Sequence, residues 1–434
     1  MSLKHQFYEN VILTLGDVLS RQHVRRDLNF IRKASHWSEQ QVMDYQHQRL
    51  RALVNYAIEQ VPYYRNLGIA KDSIRTIEDL AKLPIVSKQV MRDKGQSQFV
   101  AAGYPASHRS LSHSSGSTGE PFAYYVGAEA KSMNTAVKLL TWIDAGYNLG
   151  DHYINIKNAG RKGKLKKLQD KVNNCTWLSF FDLDVEHITR ILKQIENEKP
   201  LFIRSYPAPL YLLALHRNKS GENEYRHRPK RIFTTGSNLT DQMREEIERA
   251  FGCDIIDSYS CEGTADTYET TAHDGYHLAK IYGITEILDD NGNPVTDGIG
   301  RVVSTDLWNM AQPFIRYDTK DFVELRNGVI HRIVGRESDM IADVHGHRLT
   351  VHSFNGYFNG KGLEPGLVSG FQIVCHKDQT ITFRIEPTAL FNQSAEQKII
   401  SYWSNELGCK VSVQIVDSLP LMRNNKRAVI VNEA

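Results

Sequence analysis

Short apolar runs alternate with amphipathic helical patterns through the middle of the chain, and this alternation limits the fold more than any other feature. β-Branched and aromatic residues mark the strands, whereas apolar residues spaced three or four apart mark the helices. The predicted elements are a strand at 122–126, a helix at 128–145, a strand at 153–156, a helix at 185–199, strands at 201–204 and 231–235, and a helix at 240–251. Such alternation is typical of the α/β class, whose ligands gather at the carboxyl ends of the strands.

The regions on either side of this alternation have other patterns. Ser38 and Gln41 form a capping-box pattern that predicts a helix over 38–60. Residues 282–348 consist of short β segments separated by turns, and the stretch from 367 to 415 mixes strands with one helix. We therefore expect a large N-terminal α/β body with a β subdomain, followed by a small α+β C-terminal domain.

The first residues form a further helical pattern with one apolar face. That face consists of Phe7, Tyr8, Val11, Ile12, Leu15, Val18 and Leu19. We expect it to pack against the body of the protein, and interfacial attachment to a membrane is the alternative.

Charge and composition exclude several classes of function. The 53 basic and 50 acidic residues give a formal net charge of +3, which provides no chain-wide field for nucleic acid. The five widely spaced cysteines indicate a reducing compartment, so the cytoplasm is expected. No signal peptide and no apolar run of about 20 residues is found, so we expect neither secretion nor a membrane span.

One local excess of positive charge stands out from this balance. It consists of Arg161, Lys162, Lys164, Lys166 and Lys167. The favoured interpretation is a solvated face, and guidance of a phosphorylated cosubstrate or an acidic carrier is the alternative.

A run of hydroxyls and glycines precedes the first of the alternating strands. It consists of Ser114, Ser115, Gly116, Ser117, Thr118 and Gly119. Small residues let a backbone approach an anion closely, and the hydroxyls can donate to phosphate oxygens. The run lacks the ending of a Walker loop and the spacing of a dinucleotide fingerprint, so an ordinary surface loop remains the alternative.

Further motifs follow this run in a fixed order. They are a strand-and-turn segment from Phe251 to Glu262, then Arg316 to Asp321, then Gly335 to Asp339, and finally Leu419-Pro420 leading to Lys426. In order and spacing the set resembles the adenylate-forming enzymes of the phenylacetate-CoA ligase family and its capsule-biosynthesis (CapK-like) relatives. Val61 to Arg65 and Leu83 to Ile85 match the N-terminal portion of that family, so the resemblance covers nearly the whole chain.

The resemblance implies ATP-dependent activation of a carboxylic acid. In this family the carboxylate attacks the α-phosphate of ATP, pyrophosphate leaves, and an acyl adenylate remains. A thiol of CoA or of a carrier protein, or an amine, then takes the acyl group. The implied cofactors are ATP and magnesium, with CoA left open, and polysaccharide or secondary-metabolite biosynthesis is a plausible setting. A catalytically silent homologue that binds a nucleotide or a carrier is the alternative function, and a homodimer is left open.

The resemblance also assigns roles around the phosphates and the ribose. The hydroxyl-glycine run would wrap the β- and γ-phosphates, and Glu262 would bind magnesium. Asp321 would accept hydrogen bonds from the ribose hydroxyls, and Arg336 would donate to ribose or phosphate. The alternative for Asp321 and Arg336 is that they are exposed salt-bridge partners.

Further roles are carried over for the adenine, the acid and the small domain. Gly236, Ser237 and Asn238 match the turn along adenine, although they could equally be a helix cap. Ser258 or Tyr259 would fill the tyrosine position of the central motif. The acid pocket would include Trp142, Tyr206 and Pro207. Lys426 would bridge the acid and the α-phosphate, and Ser338 would be the hinge between an adenylation domain at 1–337 and a mobile lid at 338–434.

The sequence departs from the family pattern at several places. Tyr259 and Glu262 lie three apart where the family has four, and Asn425 precedes Lys426 where a glycine is usual. Glu120 stands beside the hydroxyl-glycine run where a lysine is common. The group of Glu269, His273, His277 and Cys261 suggests zinc only weakly, because its ligand pattern is incomplete.

Overall fold

The computed structural model describes most of the 434-residue chain. The described residues are 2–113, 122–157, 163–180, 185–220, 224–261, 265–337, 340–345, 348–358, 362–419 and 429–433. They divide by contacts into one compact unit of Met1–Thr319 with Glu324–Arg332, and a second of Lys320–Val323 with Ile333–Ala434.

Helices are distributed along the whole of the described chain. They are α1 (Leu3–Phe7), α2 (Leu13–Ser20), α3 (Val24–Ala34), α4 (Glu39–Gln60), α5 (Pro62–Arg65), α6 (Lys88–Lys94), α7 (Ala128–Asp144), α8 (Lys164–Val172), α9 (Val185–Glu198), α10 (Pro207–Lys219), α11 (Asp241–Phe251), α12 (Val351–Gly356) and α13 (Gln393–Leu407). A π-helical turn, Tyr8–Ile12, joins α1 to α2. Among the helices of the described residues, none combines the length and apolarity that crossing a bilayer requires.

The strands form one large sheet and three small ones. They are β1 (Arg109–His113), β2 (Ala123–Gly127), β3 (Tyr153–Lys157), β4 (Cys175–Ser179), β5 (Phe202–Ser205), β6 (Arg231–Thr235), β7 (Ile255–Cys261), β8 (Ala265–Glu269), β9 (Tyr276–Leu278), β10 (Gly283–Leu288), β11 (Gly298–Asp306), β12 (Tyr317–Arg326), β13 (Val329–Arg336), β14 (Met340–Ala342), β15 (Arg348–Thr350), β16 (Val368–Cys375), β17 (Ile381–Pro387), β18 (Val411–Ile415) and β19 (Ile430–Asn432). The large sheet has the order β10-β11-β12-β13-β9-β8-β7-β6-β5-β3-β4.

The predicted α/β class is confirmed by the parallel half of the large sheet. Strands β7, β6, β5, β3 and β4 run parallel, and the helices between them cover the sheet with apolar side chains. Ile191 of α9, Leu213 of α10 and Ile247 of α11 are buried in one cluster with strand residues such as Ile203 and Ile232. This buried cluster holds the helices on the sheet. The carboxyl ends of the parallel strands lie along one edge of the sheet.

The second unit contains a small α+β fold of its own. Its sheet has the order β18-β17-β16-β19, and α13 contributes Ile399 and Trp403 to a core shared with Phe383 of β17. The contact division at Arg332 and Ile333 lies a few residues before the expected domain boundary at 337 and 338. Ser338 lies outside the described residues, so its role as a hinge stays a prediction.

The expectation that the apolar face of the first helix packs against the body is wrong. Phe7, Val11 and Leu15 are exposed, as are Val18 and Leu19, and none of the described residues of α1, the π turn and α2 is fully buried. The contacts to the body come from polar side chains, as described below, together with the Tyr8 ring against Gly150 and Leu13 against the core of α3 and α7.

A buried polar network holds β7 in the sheet. Both oxygens of Asp257 accept hydrogen bonds, from Thr234 Oγ1 of β6 at 2.5 Å and from Tyr276 OH of β9 at 2.7 Å. The Asp257 N–H donates to Glu269 Oε2 at 2.9 Å, and Arg244 Nη2 donates to Glu269 Oε1 at 2.6 Å. Burial raises the pKa of Asp257 to about 6, despite the two hydrogen bonds that lower it.

We expect Asp257 to make stability fall as the pH rises from about 4 to about 6. The folded pKa is above the unfolded value, so the folded state binds more protons in this window and loses that advantage as Asp257 ionises. Because pH 5 lies one unit below the folded pKa, Asp257→Asn should gain about 1.4 kcal/mol over wild type between pH 5 and pH 7.5. Urea unfolding at both pH values measures this difference.

The control for this experiment is Asp93→Asn, which changes an exposed carboxylate. Its difference from wild type should be the same at both pH values. Asp266 and Asp306 also have raised pKa values through burial, so a pH dependence from those two groups should persist in both variants. An Asp257→Asn variant that tracks wild type at both pH values would contradict the assignment.

Candidate active site

Three adjacent parallel strands bring several predicted residues to one edge of the sheet. Ser205 of β5 pairs with Thr234 of β6, and Thr235 of β6 pairs with Ser258 of β7. Tyr206 directly follows β5, and Gly236 directly follows β6. Tyr206, Gly236 and Ser258 therefore share the carboxyl edge, where α/β sheets bind their ligands.

The turn after β6 has a backbone that requires glycine. Gly236 has φ +80°, and a Cβ added to it would lie 2.7 Å from Cε1 of Tyr206. The turn residues Gly236, Ser237 and Asn238 are exposed. The helix that follows is capped by Thr240, whose hydroxyl accepts from the Met243 N–H at 3.2 Å. The helix-cap alternative for the turn is therefore removed, because another residue performs that task.

The central motif continues the same edge on β7. The Ser258 hydroxyl donates to the Thr234 carbonyl at 3.0 Å and so ties the ends of β7 and β6 together. Tyr259 is half-buried and packs against an apolar cluster that includes Cys261, Phe122 and Tyr124. Glu262 lies outside the described residues.

The same apolar cluster anchors the strand that follows the hydroxyl-glycine run. Residues 114–121, which include the run and Glu120, lie outside the described residues. The strands on either side of them pair with each other, with His113 opposite Ala123. Phe122, the first described residue after the run, is buried in one cluster with Cys261, the last residue before Glu262. Phe122 and Cys261, the described residues next to these two segments, therefore pack in the same cluster.

Sequence reasoning missed a basic residue at this edge. Lys157 ends β3, and its Nζ lies 5.9 Å from the centre of the Tyr206 ring and 5.7 Å from that of Trp177. The signal was available, because a charged residue at the carboxyl end of a buried parallel strand is a candidate ligand contact. Lys157 adds a positive charge beside the residue that packs on Gly236.

The predicted pocket residues fall in two places. Pro207 is buried at the first turn of α10, next to Tyr206 at the carboxyl edge. Trp142 instead stacks on Phe233 with ring centroids 4.4 Å apart, and packs edge-on against Tyr153, the first residue of β3. The structure therefore groups Trp142 with aromatic residues nearer the amino ends of the strands, and a pocket role for it stays a prediction.

Asp321 and Arg336 are brought together within the second unit. Arg336 Nε lies 3.2 Å from Asp321 Oδ1, joining the neighbouring strands β12 and β13. The alternative of an exposed salt bridge does not describe this pair, because Asp321 is buried. Beside it, Lys320 Nζ lies 2.9 Å from Glu337 Oε2.

The segment that carries Lys426 is anchored at both ends on one strand. Residues 420–428 lie outside the described residues. Before them, Leu419 is buried, and its Cδ1 lies 3.1 Å from where a Cβ on Gly370 of β16 would be. After them, the Val429 carbonyl accepts from the Ile373 N–H at 2.7 Å, and Ile430 pairs with Ile373. Leu419 and Val429, the described residues on either side of 420–428, therefore both lie against β16.

The weak zinc suggestion gains no support from the contacts of its members. Glu269 is engaged by Arg244 and by the Asp257 N–H, and His277 Nε2 lies 2.8 Å from Asp274 Oδ1. Within the part of the chain that the structure describes, no three His, Cys, Asp or Glu side chains form a group that could hold a metal ion.

Comparison with known proteins gives similar curated sequences, although no family model matches the chain. A phenylacetate-coenzyme A ligase of Escherichia coli strain K12 is 28% identical over 68% of this chain and 71% of its own length. A phenylacetate-coenzyme A ligase of Pseudomonas putida is 27% identical over 68% and 71%. Protein CapK of Staphylococcus aureus is 21% identical over 77% and 76%.

Solved structures agree on the fold. A 2-hydroxyisobutyryl-CoA ligase in the postadenylation state aligns with a TM-score of 0.68 and 19% identity, covering 89% of each chain. An amide bond synthetase from Marinactinospora thermotolerans aligns with a TM-score of 0.52 and 13% identity, over 73% of this chain and 67% of that one. The ordered motifs, the α/β fold and the curated sequences agree, and together they make the adenylate-forming phenylacetate-CoA ligases and CapK the proteins that this chain resembles.

Proposed function

We propose that this protein activates a small carboxylic acid with ATP, forms an acyl adenylate, and passes the acyl group to a thiol or an amine. The observation that supports the proposal is the shared anchoring of Phe122 and Cys261 in one apolar cluster. Phe122 follows the hydroxyl-glycine run and Cys261 directly precedes Glu262 in the sequence, so the cluster joins the described neighbours of the two elements that would act at the phosphates. The similar curated ligases support the same reaction.

The nucleotide would lie along the carboxyl edge of β6 and β7. The exposed turn at Gly236 offers backbone groups to a planar base, and Tyr206 fills the space where a side chain on Gly236 would be. Because Gly236 has no side chain and is exposed, a planar adenine could approach the backbone of this turn. Asp321 would accept from the ribose hydroxyls, with its carboxylate oriented by Arg336.

The chemistry would need charge stabilisation and no protein nucleophile. A carboxylate oxygen of the acid forms the new bond to the α-phosphorus, and the bond from that phosphorus to the bridging oxygen breaks, so that pyrophosphate leaves with the electron pair. The hydroxyl-glycine run would donate to the departing phosphates, and Lys426 would bridge the acid and the α-phosphate. Magnesium, held by Glu262, would neutralise part of the phosphate charge.

The second half-reaction would transfer the acyl group from AMP. Attack by a thiol of CoA or of a carrier protein, or by an amine, forms the thioester or amide and releases AMP with one proton. Similar structures have been solved with 2-HIB-AMP and CoA, and one is an amide bond synthetase, so we propose acceptors of both kinds. A cytoplasmic location, a homodimer and a role in polysaccharide or secondary-metabolite biosynthesis stay predictions.

We expect Lys426→Ala to lower acid-dependent ATP–pyrophosphate exchange by a factor of about one hundred or more. Removing one preorganised donor to developing charge typically costs that much. A hydroxylamine-trapping screen over carboxylic acids first identifies the acid, and exchange of labelled pyrophosphate into ATP then measures the first half-reaction alone.

The matched control is Arg423→Ala, which removes a positive charge three residues away and should leave exchange within a few-fold of wild type. If the wild-type chain binds ATP but gives neither trapping nor exchange with any acid of a broad panel, the protein is a silent homologue and the proposal fails. Equal loss in both variants would show that the segment needs its net charge rather than Lys426.

We expect Gly236→Ala to raise the KM for ATP by about tenfold or more. An added Cβ would meet the Tyr206 ring at 2.7 Å and displace the turn, and small displacements of positioning groups are costly. The matched control is Gly292→Ala, because Gly292 has φ +84° with no atom within 4 Å of its added Cβ. It bears the same backbone strain without the contact, so its KM should stay near wild type. Equal KM values in the two variants would contradict the adenine assignment.

A further inference from the structure

The helical segment at the start of the chain exposes a row of apolar side chains to solvent. Its exposed apolar side chains recur at a helical spacing through α1, the π turn and α2. They are Leu3, Phe7, Val11, Leu15, Val18 and Leu19, and we refer to them as the apolar stripe. Exposure reaches 86% for Leu3 and Leu19. A surface helix normally turns its apolar side to the core, so a continuous exposed stripe needs a partner.

The side of the helix away from these exposed residues is fixed to the body, by Tyr8 and Leu13 and by several polar contacts. His5 Nε2 lies 3.0 Å from Asp151 Oδ1, and Glu9 pairs with Arg32 of α3. Arg25 Nη2 donates to Asn10 Oδ1 at 2.6 Å. These contacts fix the orientation of the helix on the body, so the apolar stripe faces solvent.

The next turn is fixed in the same way. Asp17 accepts the N–H groups of Val24 and Arg25 at 2.8 and 3.0 Å and so joins the end of α2 to the start of α3. Asp27 of α3 accepts from the Ser132 hydroxyl of α7 at 2.6 Å. The helix is therefore held on a supported surface of the first unit.

Charge around the apolar stripe favours an anionic partner. Residues 1–35 contain six Lys and Arg against three Asp and Glu, which accounts for the whole formal charge of +3. The three acidic residues, Glu9, Asp17 and Asp27, are all engaged in the contacts just described. The exposed basic residues of this region are Lys4, Arg21, Arg26 and Lys33. Positive charge is thus presented beside the apolar stripe while the negative charge is turned inward.

The size of the apolar stripe favours a lipid surface over a second copy of the chain. A helix of 18 residues is about 27 Å long, so a stripe about 10 Å wide covers about 270 Å². A stable dimer buries about 800 Å² on each partner. A bilayer interface needs no matching protein surface, and it accepts a helix whose apolar side enters the acyl boundary while basic groups meet the headgroups.

We propose that this helix docks the protein on anionic lipid, lying in the plane of the membrane surface. Leu3, Phe7, Val11, Leu15 and Leu19 enter the acyl boundary, and Lys4 and Arg21 contact the lipid headgroups. The docking places the enzyme at a membrane without spanning it. It does not depend on the proposed ligase reaction.

The test is flotation of the full chain with lipid vesicles. Wild type should float with phosphatidylcholine vesicles that contain phosphatidylglycerol, and much less with phosphatidylcholine alone. Leu15→Gln with Leu19→Gln should lower the floated fraction by about tenfold or more, because both side chains supply buried apolar area at the interface. Lys4→Gln with Arg21→Gln should remove the preference for phosphatidylglycerol.

The matched control is Leu201→Gln with Leu390→Gln, which changes two leucines that are 45% and 67% exposed outside the apolar stripe. This control should float like wild type, and thermal unfolding of all variants verifies that they fold. The proposal is overturned if wild type does not float with anionic vesicles, or if the control loses as much as the stripe variant. It is also overturned if sedimentation shows a wild-type dimer that the stripe variant converts to a monomer.

Discussion

The pairing of β6 with β7 is the constraint on which the candidate site depends. Their parallel register sets Thr235 opposite Ser258, so the turn at Gly236 lies beside Ser258 of the central motif. Ser205, the last residue of β5, pairs with Thr234 of β6, so Tyr206 lies beside the same turn. A slip of one residue would reverse which face each side chain points to, and it would separate the turn from Tyr206. The cross-strand hydrogen bonds of Asp257 and Ser258 hold this register where the apolar core ends.

Local signals made much of the fold predictable. The capping box of Ser38 and Gln41 is formed as expected, and the helix it begins runs over Glu39–Gln60. Each strand and helix predicted between 122 and 251 is formed, because each has a strong periodicity, whereas α8 and β4 in the same range were not predicted. The helix after Tyr206 was missed. It begins at Pro207, and proline is well tolerated in the first turn of a helix.

Other errors arose because a sequence does not say which surface a side chain meets. The first helix was recognised from its spacing, but its apolar side was expected to face inward, as most do. The polar contacts that turn it around, such as Glu9 with Arg32, join residues far apart in the chain. The stacking of Trp142 on Phe233 could likewise not be foreseen from its position near a helix end, and its pocket role stays a prediction. The Asp257 network could likewise not be predicted, since it joins four strands and a helix.

The buried carboxylate of Asp257 lowers stability at neutral pH, whereas its hydrogen bonds hold the strands of the candidate site in place. An apolar residue in place of Asp257 would avoid the cost of burying a charge, but it would leave the Thr234 hydroxyl and the Tyr276 hydroxyl without their acceptor. Thr234 lies on β6 and Tyr276 lies on β9, so the Asp257 carboxylate alone joins β6, β7 and β9 next to Ser258. The chain therefore tolerates a group that is less favourable at neutral pH, because its hydrogen bonds hold together the strands that carry the turn at Gly236 and the central motif.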